Sequence, residues 1–152
     1  MGADGTAGDR MYKVLIVDDN PSLLSVITDS LLELGSFQVV TAADGAEGLV
    51  AFYAEHPDCM VIDVKMPGLD GYQLVRAIRG DPETAGTPLV ILTALAQDIN
   101  RLTGMAAGVD CYLTKPVKPQ DLVASIQQAI ARSESERRQQ LRVLVEEPPP
   151  EA

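Results

Sequence analysis

Short apolar runs recur along the chain, and four of them stop on a residue that can do chemistry. Val14-Leu15-Ile16-Val17 runs into Asp18-Asp19, and Met60-Val61-Ile62 runs into Asp63. Leu89-Val90-Ile91-Leu92 ends on Thr93-Ala94, and Tyr112-Leu113-Thr114 ends on Lys115-Pro116. Runs of this length bounded by turn residues read as strands buried on both faces, the pattern of a parallel sheet. Gln38 to Ala42 supplies one further short strand.

Helical periodicity fills the intervals. Asn20 stands as an N-cap with Pro21 at the first helical position. Leu23, Leu24, Ile27, Leu31 and Leu34 follow at helical spacing, and Gly35 reads as the stop. A second helix covers Gly45 to Glu55, with Ala46, Leu49, Val50 and Tyr53 as its apolar stripe. The Met66-Pro67-Gly68-Leu69-Asp70-Gly71 stretch is a loop, and Tyr72 to Arg79 form a short third helix. A fourth is expected near Gln97 to Ala107, weakened by about 1 kcal/mol at Gly104. Pro119 starts the fifth, with Asp121 in its favourable first turn.

Strand and helix therefore alternate five times. Right-handed crossovers place helices on both faces of the sheet. The expected class is α/β, a flavodoxin-like doubly wound parallel sheet of order 2-1-3-4-5 with five helices, (βα)5. Residues 1–10 read as a flexible arm, 11–132 as the domain, and 133–152 as a helix extension with a proline-rich tail or linker. A coiled coil is disfavoured there, because a seam begun at Val123 and Ile126 meets Ser133 and Arg137 one heptad later.

Bulk properties narrow the function classes. The formal net charge of −10 argues against nucleic acid or an anionic membrane as direct partner. No apolar stretch reaches the roughly 18 to 20 residues of a membrane span. Cys59 and Cys111 lie far apart with only His56 as a possible companion, so neither a zinc site nor a disulfide scaffold is expected. A reducing, cytoplasmic setting follows. Both cysteines are expected to be small buried hydrophobes, and His56, before Pro57, a surface imidazole.

Each polar strand end has an ordinary explanation when taken alone. Adjacent aspartates cap helices, and Lys-Pro is a turn. Their joint placement carries the argument, because a parallel sheet gathers all strand C-termini at one edge. Three carboxylates within about 4 to 6 Å repel by roughly 1 to 4 kcal/mol per pair at effective dielectrics of 20 to 80. A cation or a proton relieves such crowding. Mg²⁺ accepts carboxylate, backbone and phosphate oxygens, and its charge turns an acidic pit into a place for a phosphoryl group.

These motifs resemble the receiver domain of two-component response regulators. The matching residues are Val17-Asp18-Asp19, the stretch Ile62-Asp63-Val64-Lys65-Met66-Pro67-Gly68-Leu69-Asp70-Gly71, Leu92-Thr93-Ala94, and Tyr112-Leu113-Thr114-Lys115-Pro116. The resemblance implies that Asp63 accepts a phosphoryl group from a sensor histidine kinase or phosphotransfer protein. It implies Mg²⁺ held by Asp19, by Asp18 largely through water, by Asp63 and by the backbone carbonyl of Lys65. It gives Thr93 and Lys115 contacts to the phosphoryl oxygens, makes Thr93 and Tyr112 a switch pair, and puts a cis bond before Pro116. Output is expected on the face of the fourth helix, fifth strand and fifth helix, toward a downstream protein or a second copy. Val117 departs from the aromatic residue frequent there. The chain is then no enzyme beyond its own phosphorylation and slow autodephosphorylation. The slow loss follows from Lys65 and Leu95, neither of which can accept a hydrogen bond from an attacking water.

Other classes fit less well. A degenerate receiver, acting as a phosphorylation-independent interaction module, normally lacks the acceptor, the acidic pair or the lysine, and all are present here. Aspartyl phosphatases of the haloacid dehalogenase type want Asp-x-Asp after the first strand, where this chain has Asp18-Asp19. A flavin or nucleotide site wants a loop of backbone donors instead of Val-Asp-Asp-Asn-Pro.

Overall fold

In the computed structural model, residues 11–35, 37–64, 68, 70–94 and 109–146 are described. The expected arm at 1–10, the fourth helix at 97–107, Lys65, Leu95 and the tail end at 147–152 lie outside them. The elements are β1 (Tyr12–Val17), α1 (Pro21–Leu34), β2 (Phe37–Ala42), α2 (Gly45–Glu55), β3 (Cys59–Asp63), α3 (Gly71–Gly80), β4 (Leu89–Thr93), β5 (Cys111–Thr114) and a C-terminal helix, Pro119–Glu146. Five strands pair in the order β2-β1-β3-β4-β5. Every pairing is parallel. The sheet is the one the apolar runs anticipate.

Strand alternation divides the core into two layers. Leu15, Val17, Met60, Ile62, Leu89 and Ile91 face one side and pack with Phe52 of α2 and Leu74, Val75 and Ile78 of α3. Val14, Ile16, Val61, Val90 and Leu92 face the other, against Ile27 and Leu31 of α1 and Leu122, Ile126 and Ile130 of the C-terminal helix. β3 and β4 are buried at every position, hence their unbroken apolar sequence.

The helix ends explain themselves locally. Asn20 accepts from the Leu23 amide at 3.2 Å, with Pro21 just inside. Asp44 caps α2 through the Glu47 amide at 2.8 Å. Asp70 and Gln73 form a reciprocal capping box at the start of α3. Gly35 ends α1 for a reason other than left-handed backbone. Its φ is −140°, and a Cβ there would lie 2.3 Å from the Phe37 ring. The left-handed cap belongs instead to His56, at φ 51° after α2. Cys59 is fully buried, and burial pushes its thiol far above the usual range. Cys111 is only half-buried.

The C-terminal helix runs 28 residues, about 42 Å at 1.5 Å per residue. It continues past Ile130, the last residue it buries in the core, held by Ser133 Oγ donating to the Gly86 carbonyl at 3.3 Å and Tyr12 Oη donating to Glu134 at 3.2 Å. No helix among the described residues is long and apolar enough to cross a membrane.

A polar clamp closes the sheet's N-terminal edge. Asp110 accepts from the Leu89 amide at 2.8 Å and lies 3.5 Å from Arg79 Nη2 and 3.8 Å from Arg132 Nη1. Arg79 Nη1 also donates to the Ala85 and Thr87 carbonyls at 2.8 and 2.7 Å. Burial lowers the Arg79 pKa, and Asp110 opposes that shift. Asp110→Ala takes the carboxylate from a partly buried guanidinium and the acceptor from a strand amide, at a cost of about 2 kcal/mol. A thermal melt should show Tm falling by roughly 4–8 °C, with Mg²⁺ response intact.

Candidate functional site at the C-terminal edge of the sheet

Four strand ends converge at this edge. Asp18 follows β1, with its amide donating to the Ala42 carbonyl at 3.1 Å and its side chain 1% exposed as a residue. Asp63 is the last residue of β3, paired in register with Leu92, and is 6% exposed. Thr93 ends β4 and is fully buried. Lys115 follows β5, and its amide donates to the Thr93 carbonyl at 2.7 Å. Asp19 alone is exposed, one residue beyond Asp18 at the mouth of α1. The Lys115-Pro116 bond is cis.

The side chains complete the cluster. Asp18, Asp19 and Asp63 each bring a carboxylate oxygen within 4.8 Å of the others. Lys115 Nζ lies 3.1 Å from Asp18 Oδ2 and 3.4 Å from Asp63 Oδ2. The other Asp18 oxygen accepts from the Asn20 amide at 2.9 Å. Three carboxylates and one ammonium carry a formal sum of −2, the charge a divalent cation balances. The donors are all oxygen, the set that Mg²⁺ takes and Zn²⁺ does not favour.

Tyr112 lies in β5, half-buried against the layer that holds Ile91. In register it pairs with Ile91, while Thr114 pairs with Thr93. Strand alternation therefore puts Tyr112 and Thr93 on one face of the sheet, one pleat apart. Lys65, whose carbonyl the resemblance makes a ligand, lies outside the described residues.

Two features here escape sequence reasoning. An apolar groove of about 380 Å³ opens beside Lys115, between α1 and the C-terminal helix, lined by Leu23, Ile27, Leu31, Pro116, Val117 and Leu122. Its rim residue Val26 is 58% exposed, and the helical spacing that predicts α1 gives no hint of a gap there. Gly71 also sits so close to the backbone of Asp63 and Val64 that a Cβ there would lie 2.6 Å from Val64 Cα. In sequence it closes the motif that begins at Ile62, with nothing to show what it packs against.

Fold and edge together define a doubly wound α/β module with an acidic, lysine-bearing cluster at the C-terminal edge of its sheet. Residues 14–127 match the response regulator receiver domain family. The probable transcriptional regulator ycf27 of Cyanophora paradoxa is 41% identical over 123 residues, covering 81% of this chain and 50% of that protein. Protein PilH of Pseudomonas aeruginosa is 36% identical over 121 residues, covering 80% of this chain and 99% of that protein. A solved response regulator receiver domain protein from Clostridium thermocellum superposes with a TM-score of 0.73 at 35% identity, covering 82% of this chain and 98% of that one. The chain belongs to the response regulator receiver domain family of two-component systems. It spans about half the length of the ycf27 relatives it matches.

Proposed function

We propose that this chain is a phosphoacceptor receiver, taking a phosphoryl group onto Asp63 from a phosphohistidine of a sensor histidine kinase or phosphotransfer protein. The observation that carries the reading is Lys115 Nζ held 3.1 and 3.4 Å from the Asp18 and Asp63 carboxylates, with Asp19 in the same cluster. Acceptor, acidic pair and lysine are all in place, which favours an active receiver over a phosphorylation-independent interaction module.

An Asp63 carboxylate oxygen forms the new bond to phosphorus as the phosphorus–nitrogen bond breaks, and its electron pair returns to the donor imidazole. A carboxylate is a nucleophile at neutral pH, so no general base is needed. The step depends on in-line placement and charge neutralisation. Lys115 offers a mobile point charge to one phosphoryl oxygen, and Thr93 a hydroxyl to another. Asp18, Asp19, Asp63 and the Lys65 carbonyl would hold Mg²⁺, whose charge lets one anion approach another. The apolar groove beside Lys115 suits the flank of a donor protein bringing its phosphohistidine to this edge.

Output runs through Thr93 and Tyr112 to the face of the fourth helix, β5 and the C-terminal helix, toward a downstream protein or a homodimer. The setting is cytoplasmic, with neither nucleic acid nor membrane as direct partner. The chain turns over no other substrate, and Lys65 and Leu95 make its autodephosphorylation slow. Intact-mass measurement after acetyl phosphate treatment tests the reading. One phosphoryl group should add with Mg²⁺ and none with a chelator. No added mass in either condition contradicts it.

A further inference from the structure

We infer that Gly71, outside the cluster of charged groups, is a positioning residue that holds Asp63 in place through its lack of a side chain. A Cβ built on Gly71 would lie 2.6 Å from Val64 Cα, 2.7 Å from the Asp63 carbonyl oxygen and 3.2 Å from the Val64 carbonyl oxygen. All three crowding atoms are main chain. The contrast with two other tightly packed glycines is informative. A Cβ on Gly48 would meet Val17 methyls, and one on Gly35 the Phe37 ring, which are side-chain atoms that can turn away.

Hydrogen bonds close the same contact. The Gly71 amide donates to the Val64 carbonyl at 3.0 Å, pinning the start of α3 to the residue after the acceptor. The Val64 amide donates to the Leu92 carbonyl at 3.3 Å. The peptide that follows Asp63 is therefore gripped between β4 and the first residue of α3. Val64 is itself buried, so this grip lies inside the protein.

Added bulk at Gly71 must move one of the two elements. α3 resists, because Tyr72, Leu74, Val75 and Ile78 are buried in the core and the Asp70–Gln73 box fixes its first turn. The strand end yields more easily, since Asp63 is the last residue of β3 paired with β4. Reaching an ordinary van der Waals separation of 3.4 Å from the atoms at 2.6 and 2.7 Å requires a shift of about 0.7–0.8 Å. A misplacement of about 1 Å at a reacting group costs up to 10²-fold in rate. The consequence for rate rests on the phosphoacceptor reading; the consequence for geometry does not.

The test compares Gly71→Ala with Gly80→Ala, whose Cβ meets nothing within 4 Å. Labelling by acetyl phosphate at saturating Mg²⁺ is followed well below each variant's Tm. Backbone chemical shifts of each variant are recorded without phosphate. Gly71→Ala should slow maximal labelling by about 10- to 100-fold. Its shift changes should concentrate at Asp63–Val64 and Leu92–Thr93 rather than at Leu74–Ile78, while Gly80→Ala leaves both readouts at wild-type values. A folded Gly71→Ala with wild-type rate, or with shift changes confined to α3, overturns the inference. Should wild type take no phosphoryl group, the functional reading falls and the shift pattern alone decides this one. Should Gly71→Ala not fold, Asp70→Ala loosens the same grip without bulk. It should perturb the Asp63–Val64 shifts, and unchanged shifts there overturn the inference.

Discussion

Asp63→Ala is expected to abolish phosphorylation, leaving labelling by acetyl phosphate below detection while the protein stays folded. Three carboxylates share the site, and their surroundings separate the acceptor from the other two. Asp18 has one oxygen committed to the Asn20 amide and the other to Lys115. Asp19 is exposed to water, beyond the strand end, so its carboxylate is the one better suited to a metal than to attack. Asp63 ends a central strand flanked by β1 and β4, with Lys115 3.4 Å away and Thr93 at the end of the adjoining strand. Removing it also thins the charge crowding, so apo stability should not fall as it does after an ordinary core deletion. Intact mass and a thermal melt check both halves. Labelling of Asp63→Ala at the wild-type rate would remove the account.

Lys115→Met should have the next largest effect, on stability as well as on labelling. Among the described residues, its ammonium lies between Asp18 and Asp63, whose side chains are only 2% and 8% exposed. Deleting one partner of a buried pair strands the other charge, and the 23% exposure of the lysine side chain lets water soften the penalty. A loss of about 2–3 kcal/mol follows, a Tm drop of roughly 5–10 °C. Mg²⁺ should restore part of it by mass action, about 2.7 kcal/mol at 100 times its Kd. Labelling should slow by about 10²- to 10³-fold, since one charge contact to the phosphoryl group is gone. Asp19→Asn should act in the opposite sense on the apo protein, raising Tm slightly while weakening Mg²⁺ binding. Melts with and without Mg²⁺ decide the matter. A Lys115→Met Tm within about 1 °C of wild type in chelator would contradict the charge argument.

The sheet and its reactive edge were legible because their signals are one-dimensional. An apolar run buried on both faces needs no partner to be recognised, and parallel pairing carries Asp18, Asp63, Thr93 and Lys115 to one edge by topology alone. The resemblance sharpened which residue does what. Features set by the third dimension stayed hidden. Gly71 follows Asp70 in a loop-like stretch, so the closeness that leaves no room for a Cβ beside the Asp63 carbonyl has no periodicity to reveal it. Asp110 belongs to no motif or apolar stripe, yet it ties Leu89, Arg79 and Arg132 together. Gly35 reads as the stop of α1 and does end it, but the Phe37 ring that leaves no room for a Cβ there is visible only in three dimensions. The C-terminal helix reaches Glu146 because nothing breaks it before the prolines, although its Ser133–Gln140 segment is wholly polar in sequence.

Borohydride reduction of the phosphorylated wild-type protein, followed by peptide mass mapping, tests the central claim most directly. Borohydride reduces an aspartyl phosphate to the corresponding alcohol, so the acceptor is read as homoserine at one position. The account predicts that mark at position 63 and at no other, and only when Mg²⁺ was present. Homoserine at position 18 or 19, or a phosphorylated protein carrying no homoserine at all, would contradict it.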